Sequence, residues 1–167
     1  AYIDQLTDKT IRILIPGCGN TYEADYLLHQ GFQDITLIDI APTLVAQLEK
    51  KYLANHEIKV ILGDFFEHNG GYDLILEQTF FCALNPDLRS DYTIKMDTLL
   101  SQDGKLAGLL FSSEFENEGP PFGGTKAEYE KLFKEHFIVQ VLKDCYNSYY
   151  KRAGNELFFI FKKKPTM

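Results

Sequence analysis

Short apolar runs rich in β-branched residues alternate with amphipathic segments along most of this chain, and that alternation constrains the fold more than any other feature. Ile11–Ile15, Ile35–Asp39, Ile58–Leu62, Tyr72–Glu77 and Lys105–Phe111 each have the length and composition of a buried strand. Between them lie helical patterns. Tyr22–Gln30 precedes Gly31 at a C-cap position, and Pro42 stands at a first helical position ahead of Leu44, Val45, Leu48 and Tyr52. Leu88–Leu100 is predicted as a helix ended by Ser101-Gln102-Asp103-Gly104. Thr125 with Glu128 forms a capping box that opens a helix to His136. Phe137–Cys145 and Leu157–Lys162 follow as strands with no helix between them, which suits an antiparallel pair.

Strands that alternate with helices give a mainly parallel sheet covered on both faces. The expectation is therefore a Rossmann-like three-layer α/β sandwich. Its seven-stranded sheet is mostly parallel and ends in an antiparallel C-terminal hairpin. The 167 residues suit one domain, taken as residues 1–167. No apolar run approaches the roughly 18–20 residues needed to cross a bilayer, so no membrane association is expected. The first ten residues lack a signal-peptide core. The net charge of −7 argues against nucleic acid, whose binding draws on Lys and Arg. Lys162-Lys163-Lys164 reads as a solvated strand end. Cys18, Cys82 and Cys145 form no metal-binding spacing, so no metal is expected. Reduced thiols suit a cytoplasmic protein. Oligomeric state is not legible.

The chemistry-bearing residues gather where strands are predicted to end. The first strand runs into Pro16-Gly17-Cys18-Gly19-Asn20-Thr21 and then a helix. Glycines there let the backbone approach a ligand, and free N–H groups at a helix start favour an anion. A dinucleotide fingerprint needs a third glycine where Tyr22 stands, which disfavours a nicotinamide-dependent oxidoreductase without removing it. Asp39, 20 residues beyond Gly19, ends the second strand where an acid accepts from ribose hydroxyls. Asp64 and Phe65 end the third strand, suited to an exocyclic amino group and an aromatic face. Glu77, Gln78, Thr79, Phe80 and Phe81 end the fourth, near the switch point. One of the two phenylalanines is expected in the core.

Ile13–Gly19, Leu37–Ile40, Gly63–Phe66, Tyr72–Ile75, Thr79–Leu84 (TFFCAL) and Gly119–Phe122 (GPPF) together resemble class I S-adenosylmethionine-dependent methyltransferases, and more narrowly the thiopurine S-methyltransferase family with its thiol and halide methyltransferase relatives. The resemblance implies S-adenosylmethionine as cofactor. Gly17, Cys18 and Gly19 would border its methionine part. Asp39 would take the ribose, with Ile40 beside the adenine; Asp64 and Phe65 would bind the adenine. Gln78 would sit near the methyl group. Thr79, Phe80, Phe81, Pro121 and Phe122 would line the acceptor side, with Tyr149 and Tyr150 as further aromatic candidates. The acceptor would be a small molecule, a thiol or thiopurine sulfur or a halide. No residue is singled out as a catalytic acid or base. A cofactor-holding module without turnover stands as the alternative. The chain starts at Ala1, and the aromatic N-terminal cap of that family is expected to be missing.

Overall fold

The computed structural model describes residues 2–113, 118–148, 150 and 153–166. Strands β1 (Arg12–Pro16), β2 (Asp34–Asp39), β3 (Ile58–Leu62), β4 (Tyr72–Gln78), β5 (Leu100–Phe111), β6 (Phe137–Asp144) and β7 (Glu156–Lys163) form one sheet in the order β3-β2-β1-β4-β5-β7-β6. Strands β1 to β5 pair in parallel, and β7 runs antiparallel to both β5 and β6. The helices are α1 (Tyr22–His29), α2 (Pro42–Lys51), α3 (Arg89–Leu99) and α4 (Lys126–Phe133).

The period of two in the strands explains the three layers. Ile13 and Ile15 pack with Ala24 and Leu27 of α1 and Leu48 of α2. Leu14, one residue out of phase, joins Tyr92 and Met96 of α3 and Phe133 of α4 on the other face. Lys163 fastens the second layer, its Nζ donating to the carbonyls of Asp97 (2.7 Å) and Leu100 (2.9 Å) at the end of α3.

Two predicted boundaries differ. The Ser101–Gly104 turn is absorbed into β5 as an irregularity. Tyr72 pairs with Leu100 and Leu74 with Lys105, so extra residues bulge out, with Asp103 left-handed at φ 67°. Helix α4 stops at Phe133, short of His136. Among the described residues no helix is long and apolar enough to cross a membrane.

The order of the sheet positions the site. From β1 the chain steps outward to β2 and β3, then returns to the other side of β1 as β4. Loops leaving β1 and β4 therefore diverge at the carboxyl edge and leave a crevice between them. The register aligns Pro16 with Ile38 and Asp39 with Leu62, so three loops leave the edge side by side.

Candidate active site

The β1–α1 turn is a run of left-handed residues: Gly17 (φ 55°), Gly19 (φ 55°) and Thr21 (φ 46°). The Gly17 and Cys18 N–H groups donate to the Ile38 carbonyl at 2.9 and 3.4 Å, which ties the turn to β2. Thr21 caps α1, its Oγ1 accepting from Ala24 N at 3.3 Å. A side chain at Gly19 would meet nothing within 4 Å, so its backbone borders open space. Gly17 differs. A Cβ there would lie 2.2 Å from Cδ1 of Phe80, so the Phe80 ring occupies the space that glycine leaves.

Asp39 stands half-buried beside this turn. Its Oδ2 accepts from Gly19 N (3.3 Å) and its Oδ1 from Ala41 N (3.0 Å). Each carboxylate oxygen has a second lone pair, so Asp39 holds the glycine turn and can still accept a hydroxyl. Its carbonyl accepts from Gly63 N (3.0 Å), which brings the end of β3 alongside. Asp64 follows, exposed, with Oδ1 accepting from Phe66 N at 2.8 Å. Ile40 is 69% exposed and Leu62 is 53% exposed at the ends of β2 and β3, an apolar pair at the rim. Leu62 was not singled out from sequence. Its signal was weak: an apolar residue directly before Gly63-Asp64.

Two expected side-chain roles, those of Phe65 and Phe81, are corrected, and the third residue, Cys18, is the small buried apolar group expected of it. Phe65 is only 5% exposed and packs at 5.2 Å from Phe66 and 5.1 Å from Phe80, so its face is not offered to a ligand. Phe81 is buried against Tyr92 (4.9 Å), Tyr129 and Phe133, and belongs to the core rather than to an acceptor wall. The Cys18 side chain is buried among Ile13, Ile15 and Ala24; burial, with the Asp39 carboxylate nearby, pushes its thiol up to about 12. Only the Cys18 backbone is left for a ligand.

At the end of β4 the chain turns through Gln78, Thr79 and Phe80 into a 3₁₀ turn, Phe81–Ala83. Thr79 is exposed and left-handed at φ 63°. This turn closes around Glu77, which the sequence places at the strand end without assigning it a role. Glu77 is 1% exposed; Oε2 accepts from Phe80 N (2.9 Å), and Oε1 accepts from Phe81 N (2.9 Å) and Tyr92 Oη (2.7 Å). Burial pushes its carboxyl up to about 7, against the lowering effect of those donors.

The GPPF segment docks on the same turn, Phe122 N donating to the Cys82 carbonyl at 2.7 Å. Pro121 is exposed and Phe122 half-buried. Arg89, also unremarked in the sequence, donates from Nη2 to the Gly123 carbonyl (2.8 Å) and lies 4.7 Å over the Phe81 ring. Tyr149 falls outside the described residues. Tyr150 is 73% exposed and is not among the residues that line the cleft beside α1.

A cleft of about 720 Å³ opens between α1, the bare sheet face and the β6–β7 connection. Its floor includes Ile15, Leu76, Leu109 and Phe158, its walls Tyr22, Tyr26 and Tyr146, and Gln78 forms part of its lining. Gly19, Asp39 and Asp64 do not line it. The surface along the ends of β1, β2 and β3 that carries Gly19, Asp39 and Asp64 is therefore distinct from this cleft, which Gln78 lines. Tyr22 is 79% exposed at the start of α1, where a dinucleotide fingerprint would have glycine.

Residues 1–163 match the family model for thiopurine S-methyltransferase. The chain belongs to the thiopurine S-methyltransferase family. Among relatives, the probable thiol methyltransferase 2 of Arabidopsis thaliana is 35% identical over 126 residues, 72% of this chain and 55% of that protein. The thiopurine S-methyltransferase of Acinetobacter baylyi is 31% identical over 179 aligned positions, which cover 92% of this chain and 81% of that one. The chain thus spans little more than half of the length of the plant relative it matches. By fold it resembles the 1,6-didemethyltoxoflavin-N1-methyltransferase of Burkholderia thailandensis, solved with S-adenosylhomocysteine. The TM-score is 0.76 at 21% identity, covering 93% of this chain and 72% of that one. A TehB-like methyltransferase from Corynebacterium glutamicum gives a TM-score of 0.75 at 19% identity, covering 97% and 85%. These likenesses confirm the Rossmann-like sandwich.

Proposed function

We propose that this family member is a single-domain methyltransferase that holds S-adenosylmethionine along the ends of β1–β3 and methylates an uncharged organic thiol. The observation that carries the reading is the cradle at Gly19. Its backbone faces open space, its N–H is fixed by Asp39, and Asp39 in turn holds the end of β3 beside it. An adenosyl group fits that donor set: Asp39 for the ribose hydroxyls, Asp64 for the exocyclic amino group, and exposed Ile40 and Leu62 for the adenine faces. Gly19 and the Cys18 backbone border the methionine part.

Bound there, S-adenosylmethionine supplies a sulfonium-activated methyl group. The chain's own contribution is alignment, since an in-line displacement needs the attacking sulfur, the methyl carbon and the leaving sulfur held in one line. Gln78 lines the cleft and Thr79 is exposed beside it; Phe80 packs against Gly17, and Phe122 is tied to the same turn through the Cys82 carbonyl, which supports an acceptor wall made of these residues. The acceptor thiol would give its proton to solvent as it ionises, and its sulfur would take the methyl group that the cofactor supplies.

The cleft beside Gln78 narrows the acceptor. It is apolar and aromatic, and besides the buried Glu77 its lining carries Asp4, Glu23 and Glu156 against Lys143. That excess of carboxylates repels halide and thiocyanate and suits a neutral thiol. Cys18, Cys82 and Cys145 are thiols rather than disulfide partners, which fits a reducing compartment and supports a cytoplasmic reading.

Calorimetry with S-adenosylhomocysteine on the full-length protein tests the cofactor assignment, with micromolar binding as the expected result. Labelled S-adenosylmethionine with a panel of aromatic thiols, aliphatic thiols and iodide tests the acceptor. Methyl iodide as the dominant product would overturn the neutral-thiol assignment. Binding without any product would leave a cofactor-holding module.

A further inference from the structure

Glu77, 1% exposed at the end of β4, gathers three donors on its two oxygens. We propose that Glu77 is a positioning residue that locks the Gln78–Phe81 turn and sets the acceptor wall against the glycine turn; the proposal rests on the methyltransferase reading above.

The geometry is specific to a carboxylate. Three donors converge on Glu77, and they need both of its oxygens: Phe80 N on Oε2, Phe81 N and Tyr92 Oη on Oε1. An amide in the same place would turn its NH₂ toward one of those donors. The main chain of Glu77 has little freedom to compensate. A Cβ on Gly108 of β5 would lie 1.9 Å from the Glu77 carbonyl oxygen, so the two strands already sit in closest approach there. The side chain therefore decides where residues 78–81 go.

The turn it closes is one that relaxes if released. Thr79 is β-branched and left-handed, a conformation that persists only when its surroundings enforce it. The two N–H bonds to Glu77 fall directly after Thr79. Beyond it, the Phe80 ring fills the space over Gly17, so a shift of this turn is felt by the β1–α1 loop. Glu77 thus reaches the acceptor side through Thr79 and the cofactor side through Phe80. It is not placed as a proton acceptor. Glu77 borders the cleft, yet it is only 1% exposed and both its oxygens are already engaged by three donors.

The test is Glu77→Gln in the full-length protein, with Tyr92→Phe as the milder variant should Glu77→Gln fail to fold. The expected result for Glu77→Gln is kcat lower by about tenfold to a hundredfold, with the Kd for S-adenosylhomocysteine within about threefold of wild type. Tyr92→Phe keeps both backbone bonds and should show the same split at about threefold. The deficit should be equal for a thiol already ionised at the assay pH and for one that is not. Adding Thr79→Gly to Glu77→Gln should restore part of kcat, because the turn then needs no enforcement. Amide exchange at Phe80 and Phe81 should quicken while the other strand amides keep their protection. Wild-type kcat in Glu77→Gln, a loss confined to un-ionised thiols, or a parallel collapse of S-adenosylhomocysteine affinity would each overturn the proposal. If wild-type protein binds no S-adenosylhomocysteine, the methyltransferase reading fails instead, and the exchange rates alone decide the role of Glu77 in the turn.

Discussion

At the ends of β1, β2 and β3 the chain turns on its own backbone; at the end of β4 it turns around a buried side chain. The first region is made of left-handed glycines, N–H groups tied to Ile38, and one short carboxylate, Asp39. The second depends on Glu77, Tyr92 and Arg89, whose partners come from a neighbouring helix or a distant loop. A site for a shared cofactor can be built from invariant peptide geometry. A wall that must fit one acceptor is set by side chains that can be exchanged. The difference teaches where specificity is adjustable in this molecule.

Substitutions can break that comparison in order of size. Gly17→Val places a branched side chain at φ 55° and within 2.2 Å of Phe80, a clash at the point where the two regions meet. We expect S-adenosylhomocysteine binding to vanish in calorimetry, with a loss of stability of roughly 3 kcal/mol or more in chemical denaturation. Retained affinity would show that the glycine turn does not meet the cofactor. Asp39→Ala removes both the ribose acceptor and the anchor of Gly19, at about tenfold to a hundredfold in Kd. If its affinity and that of Asp64→Ala are both unchanged while the fold persists, the crevice is not the cofactor site.

Arg89→Met sharpens the contrast from the other side. It deletes the bond to Gly123 and the stacking on Phe81, so the GPPF segment loosens. Acceptor KM should rise about threefold to tenfold with the Kd for S-adenosylhomocysteine untouched. The smallest effect is on stability against pH. The Glu77 carboxyl is held up at about 7, above its ordinary 4.5, because burial opposes the charged form. Its contribution is fully present below pH 4.5 and is lost as pH rises through 7. Thermal melts between pH 5 and pH 8 should show this as a decline of a few degrees, roughly, which Glu77→Gln flattens. An identical slope in both proteins would assign the decline to other groups.

The same contrast governs what the sequence discloses. Strands and helices were legible to within a few residues, since alternation and caps are local signals. Gly17, Gly19 and Asp39 were legible because backbone conformation and strand-end position show in residue type. Phe80 and Phe81 were not separable. They are adjacent in a turn, yet one ring goes to Gly17 and the other to Tyr92 and Phe133, and only the tertiary fold decides which. Phe65 was misassigned for a related reason, since an aromatic at a strand end serves a ligand or a core equally well by composition. Glu77 carries no local mark. Its meaning lies in Tyr92, on α3, and in a turn whose shape becomes visible only when the β4 end is folded.

The place of β7 has a consequence for biosynthesis. Strand β6 pairs with β7, which lies between β6 and β5, so β6 has no hydrogen-bonded neighbour until β7 has been made. A ribosome that has released everything through Tyr146 has produced two open edges, β5 and β6, each a template for wrong pairing. Premature termination in that window would give a sticky nascent product, whereas translation of the few residues of β7 zips both edges at once.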